Sequence, residues 1–234
     1  MAYRFRHRET VAQNVKRIAV EELDLAIAIL KGKRGYSRED SVHEVRKSIK
    51  KTRALLRMVR PELGDFFQDE NARLRDVGRK LSELRDAGAL IGTVDKLRER
   101  GHGASRKLLT SVRKSLERQK RQREEQAATR KLLPVLAGEL RTVRQSIQYW
   151  PLERDGFQAI AAGVEGTFRA GRKALRVARR SKRIEDYHEW RKRVKDLWYQ
   201  VRGYKNLRYL LLKAKRLAVS NLELLAVRRL AKAA

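Results

Sequence analysis

The sequence predicts an all-α protein, and three observations carry that prediction. Only three prolines, Pro61, Pro134 and Pro151, interrupt the 234 residues. No stretch alternates polar and apolar residues as a half-buried strand would. Apolar residues recur instead at spacings of three and four, the period of a helix with one face in a core.

The first helix is expected from about Glu9 to Leu30, with Val11, Val15, Ile18, Leu23, Ile27 and Leu30 as its buried stripe. Gly32 and Gly35 end it, and Ser37 or Asp40 stands where a cap for the next helix belongs. That second helix runs from about Glu39 to Arg60 and is stopped by Pro61. A third helix aligns Leu74, Val77, Leu81 and Leu84, and a fourth follows Arg85-Asp86 and ends at Gly101-His102-Gly103. Ser105 to Tyr149 reads as one or two long helices around Pro134. After Trp150-Pro151, helices are expected near Gly156–Arg180, Ile184–Arg202 and Tyr204–Lys232. The pattern divides into an N-terminal helical half over residues 1–100, connecting long helices over 101–150, and a C-terminal helical half over 151–234.

Charge narrows the function. Lys and Arg number 58 against 28 Asp and Glu, a net charge of +30, while 41% of residues are hydrophobic. That is enough apolar side chain for a core and too much for a disordered basic tail. Such an imbalance repels itself in the compact state, and a large polyanion is the simplest compensation. Cysteine is absent, which excludes disulfides, thiolate metal sites and Cys nucleophiles. The opening MAYRFRHRET has no apolar signal region, and the longest aliphatic stretch, Leu25 to Leu30, is too short to span a bilayer. The expectation is a soluble, cytoplasmic, polyanion-binding protein.

The basic run Arg113–Arg130 is nearly free of apolar residues. It reads as a solvated helix face linking two halves and held by i,i+4 charge pairs, with a nucleic-acid arm as the alternative.

A repeat carries the chemistry. Val42–Arg57 (VHEVRKSIKKTRALLR) and Tyr187–Arg202 (YHEWRKRVKDLWYQVR) align without a gap at an offset of 145 residues. His43/His188, Glu44/Glu189, Arg46/Arg191, Lys47/Lys192, Lys50/Lys195 and Arg57/Arg202 are identical, and the apolar positions match in kind. At about 100° per residue, His43, Arg46, Lys50, Arg53 and Arg57 fall within an arc of about 80°. His188, Arg191, Lys195 and Arg202 occupy the same strip in the second copy, with Trp198 replacing Arg53. Like charges at i,i+4 repel, so a strip kept against that repulsion points to an anion lying on it. Arg169, Arg172, Lys173, Arg176 and Arg180 line one side of a further helix, with Lys16 and Arg17 as a weaker counterpart in the first. Helical halves packed about a two-fold-like axis would let such strips converge into one channel.

These segments resemble a known family. SVHEVRKSIKKTRALLRMV followed by LSELRDAGALIGTVDKL is similar to the first half of a CHAD domain, the conserved-histidine α-helical domain, and FRAGRKALRVARR with YHEWRKRVKDLWYQV to its second half. The likeness runs from about Val11 to Tyr209. It implies two four-helix bundles related by pseudo-two-fold symmetry, with a basic central cavity that binds inorganic polyphosphate. It also implies that both strips face the ligand. Arg79 and Arg85, in an R-x-L-x-x-x-R-D stretch, match further basic positions of the family, as do Arg172 and Arg176. After Lys205 the sequence departs from the pattern: LRYLLLKAKRLAVSNLELL is short and carries no second R-D-like motif.

Polyphosphate suits spaced Lys and Arg donors, Arg gripping two oxygens at once and Lys acting as a point charge. Association with polyphosphate granules follows in a cell that makes them. Sequence-independent nucleic-acid binding is the alternative. Single-strand binders interleave aromatics with cations, and three Trp, seven Tyr and five Phe supply few. Trp190 falls with the core positions of its helix, and Trp198 lies in the strip. An enzyme is not expected: neither a G-x-x-x-x-G-K loop nor an E-x-E-x-K alternation occurs. No metal or other cofactor is expected, since each histidine sits among cations without metal-ligand spacing. Glu44 and Glu189 are expected to pair with basic neighbours on their own helices. Membrane-surface binding ranks last because the core needs the apolar stripes.

Overall fold

The computed structural model describes residues 3–6, 8–100, 104–129 and 131–203, with the side chains at 38, 85–89, 100, 104–105 and 129 left aside. The elements are α1 (Val11–Leu30), α2 (Arg38–Met58), α3 (Arg60–Leu63), α4 (Asp65–Arg100), α5 (Ala104–Thr129), α6 (Leu132–Ser146), a 3-10 turn (Ile147–Tyr149), α7 (Gln158–Ser181) and α8 (Ile184–Gly203). Among the described residues there is no strand, and no helix is long and apolar enough to cross a membrane. The expected helix Tyr204–Lys232 and the boundary at Gly101–Gly103 lie outside the described residues.

Local chemistry sets most of the ends. Thr10 and Gln13 form a capping box at the start of α1, each side chain accepting the other's backbone N–H at 3.1 and 2.8 Å. The Val11 N–H donates across the chain to Asp155 at 2.7 Å, and this bond with one from the Gly156 N–H holds the Asp155 carboxyl below the usual range. Beyond Leu30 the chain turns through Gly32 and Gly35 at φ of 73° and 62°. Ser37 caps α2: its Oγ accepts the Asp40 N–H at 3.1 Å and donates to the Asp40 carboxylate at 2.7 Å.

Two boundaries differ from expectation. Helix α2 stops at Met58, and Pro61 sits in the first turn of α3, where its missing N–H costs nothing. The two helices expected between Leu74 and Gly101 are one 36-residue helix, α4, about 54 Å long. No proline falls inside it, and the Arg85-Asp86 pair alone does not end a helix. Around Pro134 the chain does break, but earlier, at Lys131 with φ 45°, and Pro134 joins the first turn of α6.

The chain forms two compact units. Among the described residues, one comprises those through Glu22, Lys50–Asn71 and those from Ser146; the other comprises Leu23–Ile49 and those between Ala72 and Gln145. The first buries Val15, Ile18, Leu55, Leu56, Met58, Leu63, Ile147, Trp150 and Ile160; the second buries Leu23, Val45, Ile49, Leu74, Leu81, Leu136 and Leu140.

In the first unit α2, α7 and α8 are pinned together. Gln200 is buried and donates to the Ala54 carbonyl at 3.1 Å and the Thr167 hydroxyl at 3.0 Å. Gly163 lies against the end of α2, where a Cβ would stand 1.9 Å from the Met58 carbonyl oxygen. Only a bare backbone fits there. Helices α7 and α8 are joined by two residues, Lys182 and Arg183, which makes them antiparallel neighbours.

Candidate functional site

In α2 the first strip is largely built into the protein. Arg46 is half-buried and donates to Ser82 and, at 3.3 Å, to the Gly78 carbonyl of α4. Arg53 is half-buried and donates to the Asn71 side chain at 3.0 Å. Arg57 donates to the Arg53 carbonyl at 3.1 Å and pairs with Asp196 of α8 at 3.4 Å, both side chains 16% exposed. Burial lowers the Arg57 pKa despite Asp196, and burial raises the Asp196 pKa despite Arg57 and Arg193. For this pair the loss of water outweighs the attraction, as is common for enclosed ion pairs. His43 and Lys50 are exposed.

In α8 the second strip is open. His188, Arg191, Lys195 and Arg202 are exposed, and among the described residues no carboxylate pairs with Arg191, Lys195 or Arg202. Two cations pack instead on an aromatic ring: the Lys195 ammonium lies 4.1 Å, and the Arg202 guanidinium carbon 4.9 Å, from the Trp198 ring centroid. Trp190 is half-buried and lines, with Ile184, Tyr187 and Val194, an apolar hollow of about 380 Å³ beside His188 and Arg191.

One feature is common to both copies. Glu44 accepts from Lys47 at 3.0 Å and Glu189 from Lys192 at 3.2 Å, the pairing expected from the sequence. Glu189 also holds Arg193 at 2.6 Å. Partial burial alone would raise the Glu189 pKa, but Lys192 and Arg193 bring it below the usual value.

The other basic residues are placed differently. On α7 the exposed Arg169, Lys173 and Arg176 stand about 180° around the helix from the buried Ile160, Thr167 and Ala178, so they form its solvent-exposed face. Arg169 is tied to Glu165, and Arg172 lies 6.0 Å from the Phe168 ring. All three guanidinium nitrogens of Arg17 are engaged, with Glu9, Glu21, Asn14 and the Arg4 carbonyl, while Lys16 donates to the Gln148 carbonyl at 3.0 Å. Arg79 is exposed, 3.6 Å from Asp76, and lines with Lys80 and Arg123 a hollow of about 570 Å³ floored by Leu84 and Leu132. Arg85 belongs to α4, and its side chain lies outside the described ones.

Three groups at these sites were not singled out in the sequence. Asp196 carries a signal in hindsight: the repeat puts it opposite Lys51, a reversal of charge between the copies, while Arg193 stands opposite Ser48 with no such sign. Arg123 had none, since it sits within a run that otherwise reads as wet helix. That run behaves in part as expected, Arg113 pairing with Glu117 four residues on.

Two cation strips of one pattern, each on a helix with a shared Glu-Lys pair, therefore stand in an all-helical chain. Neither a curated protein nor a solved structure matches it. A family model described as CHAD domain matches residues 23–221, reaching past Tyr209 into the stretch where the sequence pattern thins. That span is most of the 234 residues and holds both strips, and the chain belongs to the CHAD domain family.

Proposed function

We propose that this chain binds inorganic polyphosphate through its cation strips. The observation that carries the reading is the second strip, where Arg191, Lys195 and Arg202 are exposed with no described carboxylate to neutralise them. A chain of phosphates with no bases asks for donors at intervals along a helix and nothing else. Affinity of this kind falls steeply with salt, since each phosphate contact releases counterions. The role is binding, without catalysis, metal or cofactor. Cytoplasmic residence and association with polyphosphate granules follow from that affinity in cells that store the polymer.

Nucleic acid is the rival ligand. Base stacking requires an open aromatic face, and cations pack on the one aromatic ring within the strips, Trp198.

The test is salt-titrated binding of defined polyphosphates to wild type, to Arg46→Ala/Arg191→Ala and to Arg118→Ala/Arg121→Ala, with single-stranded DNA as competitor at matched phosphate. The strip variant is expected to lose about three- to fivefold more affinity than the α5 control, nearly all of it from Arg191. Equal losses would mean generic charge, and a preference for DNA would favour the rival.

A further inference from the structure

The strips differ at one position that touches two ligand-facing cations. Where α2 has Arg53, α8 has Trp198, and Lys195 and Arg202 both pack on its ring. The ring is itself held. Its neighbour Tyr199 is buried and meets it edge-on at 4.9 Å and 67°, and Tyr199 in turn meets Tyr3 at 6.3 Å and 73°. Tyr3 donates to the Lys51 carbonyl at 3.4 Å. A chain of three rings thus connects the core of this unit to the strip.

We propose that Trp198 is a positioning residue for polyphosphate: it holds Lys195 and Arg202, about 10 Å apart along the helix, in place before the ligand arrives. This rests on the polyphosphate reading and goes beyond it. Long basic side chains lose rotamer freedom when a ligand fixes them, and that loss weakens binding. Fixing them beforehand removes the loss. A carboxylate would also fix them, but at the expense of their charge, as Asp196 does for Arg57. An aromatic face attracts a cation through its quadrupole and leaves the full charge facing outward. Trp198 therefore orders the strip without neutralising it.

The experiment compares wild type with Trp198→Leu and Trp198→Phe for polyphosphate affinity, for the salt dependence of that affinity and for melting midpoint. Trp198→Leu is expected to bind about three- to tenfold more weakly with the same salt slope, because the same cations still meet phosphate. Trp198→Phe is expected to recover most of the loss, since it keeps a π face. In a Trp190→Phe background, where Trp150 is the other indole, polyphosphate is expected to change the Trp198 emission. A lowered midpoint in Trp198→Leu would shift the comparison to Trp198→Met, which fills similar space without a ring face. Affinity within twofold of wild type for the ringless variants, or a Phe variant as weak as the Leu one, overturns the positioning role alone. Failure of wild type to bind overturns the polyphosphate reading and this inference with it.

Discussion

On α2, Arg46, Arg53 and Arg57 are half-buried and donate to protein oxygens; on α8, the corresponding Arg191 and Arg202 are exposed, and Trp198 replaces the middle arginine. The two helices carry nearly the same polar pattern, so their difference comes from what surrounds them. The C-terminal half of α2 is enclosed, with Ala54, Leu55, Leu56 and Met58 buried, and a guanidinium emerging there must find acceptors or lose its hydration unpaid. On α8 the buried Leu197, Tyr199 and Gln200 lie beside the strip, yet Arg191, Lys195 and Arg202 themselves stay exposed. A repeat in sequence thus fixes where charges sit on a helix, while packing decides whether they remain available to a ligand. The first copy is mainly a structural joint, and the second leaves its cations exposed.

The largest expected effect tests the joint. Gly163→Ala drives a methyl into the Met58 carbonyl and is expected to lose about 4 kcal/mol of stability, read as a large fall in urea midpoint. The Lys195–Trp198–Arg202 cluster lies within one helix and does not depend on that contact, whereas Arg57–Asp196 spans α2 and α8. Arg57 is therefore expected to lose its partner first. A Gly163→Ala protein as stable as wild type would mean that α2 and α7 are not joined there.

Next in size is the contrast between matched arginines. Arg57→Ala leaves the enclosed Asp196 without its main partner and is expected to cost about 3 kcal/mol near neutral pH. Arg202→Ala, on the open strip, is expected to cost less than about 0.5 kcal/mol. The pH dependence has a definite sign. Burial already raises the folded-state pKa of Asp196, and removing Arg57 raises it further. A raised folded pKa stabilises below the unfolded value, and that contribution is lost as pH rises through the folded one. The Arg57→Ala deficit is therefore expected to be largest near pH 7 and to shrink toward about pH 4. A deficit independent of pH would place its origin in packing and not in the stranded carboxylate.

How much of this was visible in the chain follows from the same contrast. The helical class, the starts of α1, α7 and α8, and the phase of both strips depend on side-chain period and caps, which are local and can be read from residues three or four apart. The cap on α1 from Asp155, the pin between Gln200 and Ala54 and the Arg57–Asp196 pair join residues more than a hundred positions apart, and no local pattern reports these contacts. The expected break near Arg85 failed for a physical reason of its own: charged pairs are compatible with a helix interior, and only proline or a left-handed residue would have ended α4. Phase alone puts Trp190 with the core positions of α8, yet phase does not say whether a neighbour covers the face, and Trp190 is half-buried.

Binding is expected to separate the copies by a smaller factor. Arg191→Ala should weaken polyphosphate binding about fivefold and lower the salt slope by about one, the signature of one lost phosphate contact. Arg46→Ala should weaken it less than about twofold, because Arg46 is already committed to Ser82 and Gly78, and its loss should appear as reduced stability. Equal affinity losses would erase the proposed division between joint and binding surface.

The smallest effect comes from the histidines, and it tests the comparison most finely. An imidazole beside bound phosphate gains its proton more readily than one in water, so binding is expected to tighten about two- to threefold from pH 8 to pH 6. Both histidines are exposed, so burial does not distinguish them, and any difference must come from how closely phosphate lies on each strip. If the ligand lies mainly along α8, His188→Gln should flatten the pH dependence and His43→Gln should leave most of it intact. The opposite result would mean that phosphate sits closer to His43 despite the engagement of Arg46, and the roles assigned to the two copies would have to be exchanged. Isothermal titration of the two variants at both pH values, at fixed ionic strength, decides between these outcomes.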